Sequence, residues 1–216
     1  MRPLDELVNE RESALPSLME WSAAARDRCE ILPPSGRNGE ILSTLQVTTR
    51  SLLGTIAYST GGLLVDGGYL RLLGSGHPAL PRDIVGWNQG RSSGFLLVAD
   101  DAVGGFFALN GGALGEDTGS VYYFAPDTLE WEPLGIGYGD FVRWSLGDTL
   151  SDFYASMRWP GWQADVQRLT TDQCFSFHPF LWTKEGSVER SSRQAVDVAE
   201  LYALQIGAGA TTSRQP

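Results

Sequence analysis

Between Ser92 and Val142 the chain has no lysine, arginine or histidine. Cations are sparse overall: 16 Lys and Arg against 26 Asp and Glu in 216 residues, a net charge of -10 and a pI near 4.6. A nucleic-acid binder displaces phosphate counterions with Lys and Arg. No basic cluster longer than a scattered pair is present, which argues against DNA or RNA as a partner and against an anionic membrane surface. Cysteine is scarce too. Cys29 and Cys174 form neither a CxxC nor a Cys/His ligand set, so a reducing, cytoplasmic setting is expected. The longest apolar run, Phe95-Leu96-Leu97-Val98-Ala99, falls far short of the ~20 residues that span a bilayer. The acidic start, Met1 to Leu7, has no apolar stretch of the signal-peptide kind, and no Asn-x-Ser/Thr sequon occurs.

What is present suits a folded domain. Hydrophobic residues make up 42% and aromatics 11%, enough to bury a sizeable core. The 26 glycines announce many turns. Length favours one domain, read as residues 1–206, with 207–216 a flexible tail of small residues. The negative charge is concentrated: Asp100, Asp101, Glu116, Asp117, Asp127, Glu130, Glu132 and Asp140 all fall in the cation-free stretch, leaving net -1 on each side of it. Three readings follow: a solvated face, a surface that steers a basic partner, or a hard-cation site if Asp100-Asp101 and Glu116-Asp117 converge. The last lacks EF-hand spacing.

The hydrophobic period is helical at both ends and short-range in the middle. Helical flanks are expected over 3–58 and 140–206, the latter closing with a helix over Arg193–Ile206. Residues 31–36 read as a turn or short strand. The segment 61–146 reads as sheet. Leu63-Leu64-Val65 and Tyr69 to Leu73 flank Asp66-Gly67-Gly68, a hairpin signature. Runs at 95–99, 105–109, 121–124 and 129–133 follow, with joins too short for helical crossovers. The expectation is therefore α+β: a central antiparallel meander wrapped by N- and C-terminal helices.

Enzyme motifs are weak. Gly90-Arg91-Ser92-Ser93-Gly94 fits Gly-x-Ser-x-Gly, and His178 with a downstream aspartate completes the residue types of a hydrolase triad. A nucleophile elbow, however, needs a strand before the serine and a helix after it; here a strand follows. Gly135-Ile136-Gly137-Tyr138-Gly139-Asp140 lies between strand and helix, but Asp140 stands where a dinucleotide cradle wants glycine and fits an N-cap instead. His77 and His178, the only histidines, are far apart and each precedes proline, a poor metal set. No catalytic residue, metal ligand or cofactor site is expected. The enzyme alternative is a hydrolase or small-ligand enzyme using Ser92 and His178 or the acidic loops.

One resemblance adds to this. Gly61-Gly-Leu-Leu-Val-Asp-Gly-Gly-Tyr-Leu-Arg-Leu-Leu-Gly, Gly94-Phe-Leu-Leu-Val-Ala-Asp-Asp, Gly104-Gly-Phe-Phe-Ala-Leu-Asn, Val121-Tyr-Tyr-Phe-Ala-Pro-Asp, the Trp131 strand and Gly139-Asp-Phe-Val-Arg-Trp occur in an order that resembles the SUKH superfamily of Syd-like, cell-wall-assembly-regulator and immunity proteins. The resemblance covers about 85 residues and implies an α+β binding module without catalytic residues. Bacterial members often neutralise toxins, frequently nucleases. A nuclease presents cations to phosphate, so an acidic blocker would complement it. The expected function is a non-catalytic protein-binding module for a basic partner, with Asp100, Asp101, Glu116, Asp117 and Asp127 as contacts. A regulatory or scaffolding domain without a toxin partner is the remaining reading.

Overall fold

The computed structural model describes residues 1–25 and 28–212. Its first quarter is helical: α1 (Leu4–Leu7), α2 (Leu15–Ala24), α3 (Asn38–Leu45) and α4 (Leu52–Ser59), with strand β1 (Cys29–Leu32) between α2 and α3. Ser51 starts α4, its hydroxyl accepting the Gly54 amide at 3.1 Å; this meets a donor that every helix start leaves open.

Strands β2 (Gly62–Val65) and β3 (Leu70–Leu73) form the anticipated hairpin. Asp66, Gly67 and Gly68 all adopt left-handed backbone, with φ of 50°, 68° and 89°, a path open to glycine and tolerated by aspartate. Helix α5 (Ile84–Asn88) follows, capped by the Asp83 carboxylate through the Val85 and Gly86 amides. Then come β4 (Phe95–Asp101), β5 (Phe106–Asn110), β6 (Ser120–Phe124) and β7 (Trp131–Gly137). All pairings are antiparallel and the strand order is β1 through β7. The meander is thus as expected, with β1 added on its outer side beside β2.

Because side chains alternate across a strand, the sheet buries two faces. Phe107 of β5 and Tyr123 of β6 meet Phe141 of α6 (Tyr138–Ser145) and Phe153 of α7 (Leu150–Phe153) on one face. Phe106 turns the other way, to Tyr202 at 4.8 Å between ring centroids. Gly137, not Asp140, occupies the cap position of α6; Asp140 lies in its first turn.

The last third departs from expectation. A short helix α8 (Trp162–Val166) leads to a two-stranded sheet of β8 (Gln173–His178) and β9 (Ser192–Asp197). The helix expected from Arg193 begins only at Val198, because residues 192–197 pair with β8 and the Asp197 carboxylate then accepts the Ala199 and Glu200 amides. This helix, α9 (Val198–Thr212), runs through most of the expected tail. Its small residues permit that: a side chain at Gly209 would meet the Leu129 carbonyl at 3.2 Å, so the helix lies against the β6–β7 turn. Residues 213–216 of the expected tail lie outside the described residues. Among the described residues no helix is long and apolar enough to cross a membrane.

Candidate functional site

The five expected contact residues do not share a surface. Asp100 and Asp101 are fully buried and offer nothing to a partner. Their places in β4 explain this. The strand is central, so both of its faces are covered, and neighbouring residues point into opposite layers.

Asp100 faces the C-terminal layer. Its oxygens pair with Arg71 Nε at 2.8 Å and Arg82 Nη2 at 2.7 Å. Arg71, itself 1% exposed, donates to the carbonyls of Thr171, Gln173 and Asp101. Arg82 also reaches Asp172 at 3.2 Å. A buried charge persists only when compensated: both arginines pair with Asp100, and its Oδ2 accepts a hydrogen bond from Arg82, while its Oδ1 faces Arg71 as an ion pair alone. The network ties the segment before β8 to the sheet.

Asp101 faces the helical layer and is in no ion pair with a described residue. Its Oδ1 accepts the Val103 and Gly105 amides at 3.0 and 2.7 Å, and its Oδ2 accepts the Tyr123 and Tyr154 hydroxyls, each at 2.9 Å. Burial raises its carboxyl above the usual range, against the pull of these four donors. Burial beside this carboxylate likewise holds Tyr123 and Tyr154 well above an ordinary phenol.

Glu116, Asp117 and Asp127 are exposed but divided. The first two sit on the β5–β6 loop, and Asp127 on the β6–β7 turn at the other end of β6. Asp117 is occupied locally: it accepts the Tyr122 hydroxyl and an Asn110 amide proton, and the Tyr122 bond lowers its carboxyl. Asp127 instead rims a groove of about 400 Å³ with Glu189, over Met157, Leu181 and Val188. Neither acid is in an ion pair with a described residue.

Among the described residues no hydrogen bond links Ser92, His77 and His178 to one another; each is engaged locally. The Ser92 hydroxyl bonds Asn88 Oδ1 at 2.6 Å, and the same oxygen accepts the Leu97 amide, locking the turn into β4. The exposed His178 ends β8, with a ring contact to Phe180, and His77 Nδ1 accepts the Ala79 amide. Burial pushes Cys174 up to about 12 and raises Cys29, so both thiols are held protonated. Among the described residues no group of three His, Cys, Asp or Glu could hold a metal ion.

Sequence reasoning missed the arginines. Arg71 interrupts the apolar run Tyr69 to Leu73, and a lone charge in such a run signals a buried pair. Arg82 and Arg91 lie over the Trp87 indole at 5.0 and 4.4 Å from its centroid, beside a groove of about 390 Å³ that Asp172 and Asp197 also line. Arg28 and Arg158 both grip Asp66, and nothing in their local sequence announces it.

Fold and site together define a mixed α+β domain whose buried charges serve to join layers. The chain belongs to the family of proteins of unknown function DUF2625, which it matches over residues 4–201. It is 47% identical over 209 residues to the uncharacterized protein YbfG of Escherichia coli (strain K12), covering 95% of this chain and 96% of the relative. It is 37% identical over 211 residues to an uncharacterized protein of Haemophilus influenzae (strain Rd), covering 94% and 92%. No solved structure matches the chain.

Proposed function

We propose that this chain is a non-catalytic protein-binding module that receives a basic partner at the groove between the β6–β7 turn and the β8–β9 loop. The observation that carries the reading is the groove's make-up: Asp127 and Glu189 on its rim, with Met157, Leu181 and Val188 beneath. A Lys or Arg side chain has the matching form, an apolar stem below a charged head. Glu130 and Glu132 are exposed on the same turn and strand and extend the negative field, so the partner's encounter would be electrostatically steered. The SUKH-like order of residues 61–146 is in keeping with this reading, and a nuclease-type toxin is a partner of the required charge.

The test is a double reversal, Asp127→Lys with Glu189→Lys. The native chain should retain a basic protein from its host lysate at low salt and release it as salt rises. The double variant should retain none while melting at the same temperature. Equal retention by both would overturn the reading.

A further inference from the structure

A second groove, of about 530 Å³, opens over the β2–β3 turn and is chemically opposite to the first. Its floor is Asp66, held between two arginines. Arg28 Nε donates to one carboxylate oxygen at 2.8 Å, and Arg158 Nη2 donates to the other. Asp66 saturates neither guanidinium. Arg28 Nη2 and Arg158 Nε are buried without a hydrogen-bond partner. Buried donors on a charged group are costly to leave unmet, so this floor lacks acceptors. Among the described residues Asp66 is the one carboxylate held between both guanidinium groups, and Arg28 Nη1 also donates to the Gly147 carbonyl at 3.2 Å. The fully exposed Asp148 pairs with Arg28 Nη1 at 3.5 Å, where solvent weakens the interaction. Distant carboxylates are screened beyond roughly 10 Å.

The walls are equally specific. Arg158 lies over the Trp162 ring at 4.2 Å and the Tyr69 ring at 4.8 Å, which fixes the guanidinium plane. Trp162 is half-buried and lines the groove. Ser151, Gln163 and Gln167 complete the lining, and their side chains make no hydrogen bond within the described chain. Gly67 adds no bulk: a side chain there would meet nothing within 4 Å.

We infer that this groove is a binding site for a small-molecule phosphate monoester. Unmet N–H positions on two separate guanidinium groups suit a tetrahedral oxyanion with several acceptors. A planar carboxylate would be served by one arginine alone. The ester's organic part lies along Trp162, within reach of Ser151, Gln163 and Gln167. This site is independent of the acidic groove proposed above and stands or falls separately.

The experiment uses the full chain and three probes at matched ionic strength: inorganic phosphate, phenyl phosphate and benzoate, each titrated by calorimetry with chloride as the reference. Phenyl phosphate should bind at least tenfold more tightly than inorganic phosphate, and benzoate should give no heat. Removing an arginine could unfold the turn, so the decisive variant is Gln163→Glu with Gln167→Glu. It places two carboxylates at exposed positions of the groove wall and leaves both arginines in place. Its melting temperature without ligand should match that of the native chain, while phenyl phosphate affinity falls at least tenfold. The site is refuted if phenyl phosphate gives no more heat than chloride, or if the double variant binds it as well as the native chain does. Equal affinity for inorganic phosphate and phenyl phosphate would overturn the ester assignment.

Discussion

Asp100 and Asp101 are neighbours of the same type, equally buried, and the two faces of the sheet treat them in opposite ways. On the C-terminal face Asp100 is paired with two arginines. On the helical face Asp101 is held by neutral donors alone, and burial favours its protonated form. Burial by itself therefore does not decide what a carboxylate contributes; the layer packed against it does. Four experiments would break or sharpen this contrast.

The largest effect is expected for Arg71→Met. It leaves Asp100 buried with half its compensation and strips three carbonyls of their donor, a class of change that costs about 3–5 kcal/mol. Urea denaturation measures it, and a loss below about 1 kcal/mol would mean that water reaches Asp100. Next is Asp100→Asn, which leaves two arginines facing a neutral group. We expect a loss of about 2–3 kcal/mol by the same measurement, in the range for truncated charged hydrogen bonds. Asp101→Asn should cost about 1 kcal/mol or less, since the amide oxygen can still accept from the backbone and only the tyrosine contacts must rearrange. If the two Asn variants were equally damaging, the contrast between the faces would be lost.

The smallest effect is one of pH. A carboxyl whose folded pKa is raised favours the protonated fold. Its contribution is complete below the ordinary carboxylate value of about 3.9 and declines as pH rises through the folded value. The native chain should therefore gain stability relative to Asp101→Asn as pH is lowered from about 8 toward 4.5. A constant difference across that range would show that the four donors outweigh burial.

The sheet was legible because its cues are local. The Asp-Gly-Gly turn fixes the β2–β3 hairpin, and the joins after β4, β5 and β6 are too short to be anything but turns. The last third was not legible for the complementary reason. Ser192–Asp197 alternates weakly and becomes a strand only by pairing with Gln173–His178, 14 or more residues away in sequence. Gly207 and Gly209 suggest a loose tail until the Leu129 carbonyl is placed beside Gly209. Charge was the most misleading signal of all. A run of acids without cations looks like surface, yet Asp100 and Asp101 draw their partners from Arg71, Arg82, Tyr123 and Tyr154, well away in the chain. Only Asp127 of the expected contacts lies on the groove proposed for the partner.

The salt bridge between Arg71 and Asp100 has one more consequence. Hairpin turns dictate alignment within β2–β3 and within β4–β7, but residues 74–94 lie between β3 and β4, and a connection of that length imposes no alignment of its own. Arg71 stands directly opposite Asp100 across that seam. A slip of one position would turn the inner side chains outward and strand an uncompensated ion in the interior. The bridge thus works as a key: it admits one alignment of the two halves and penalises every neighbouring one.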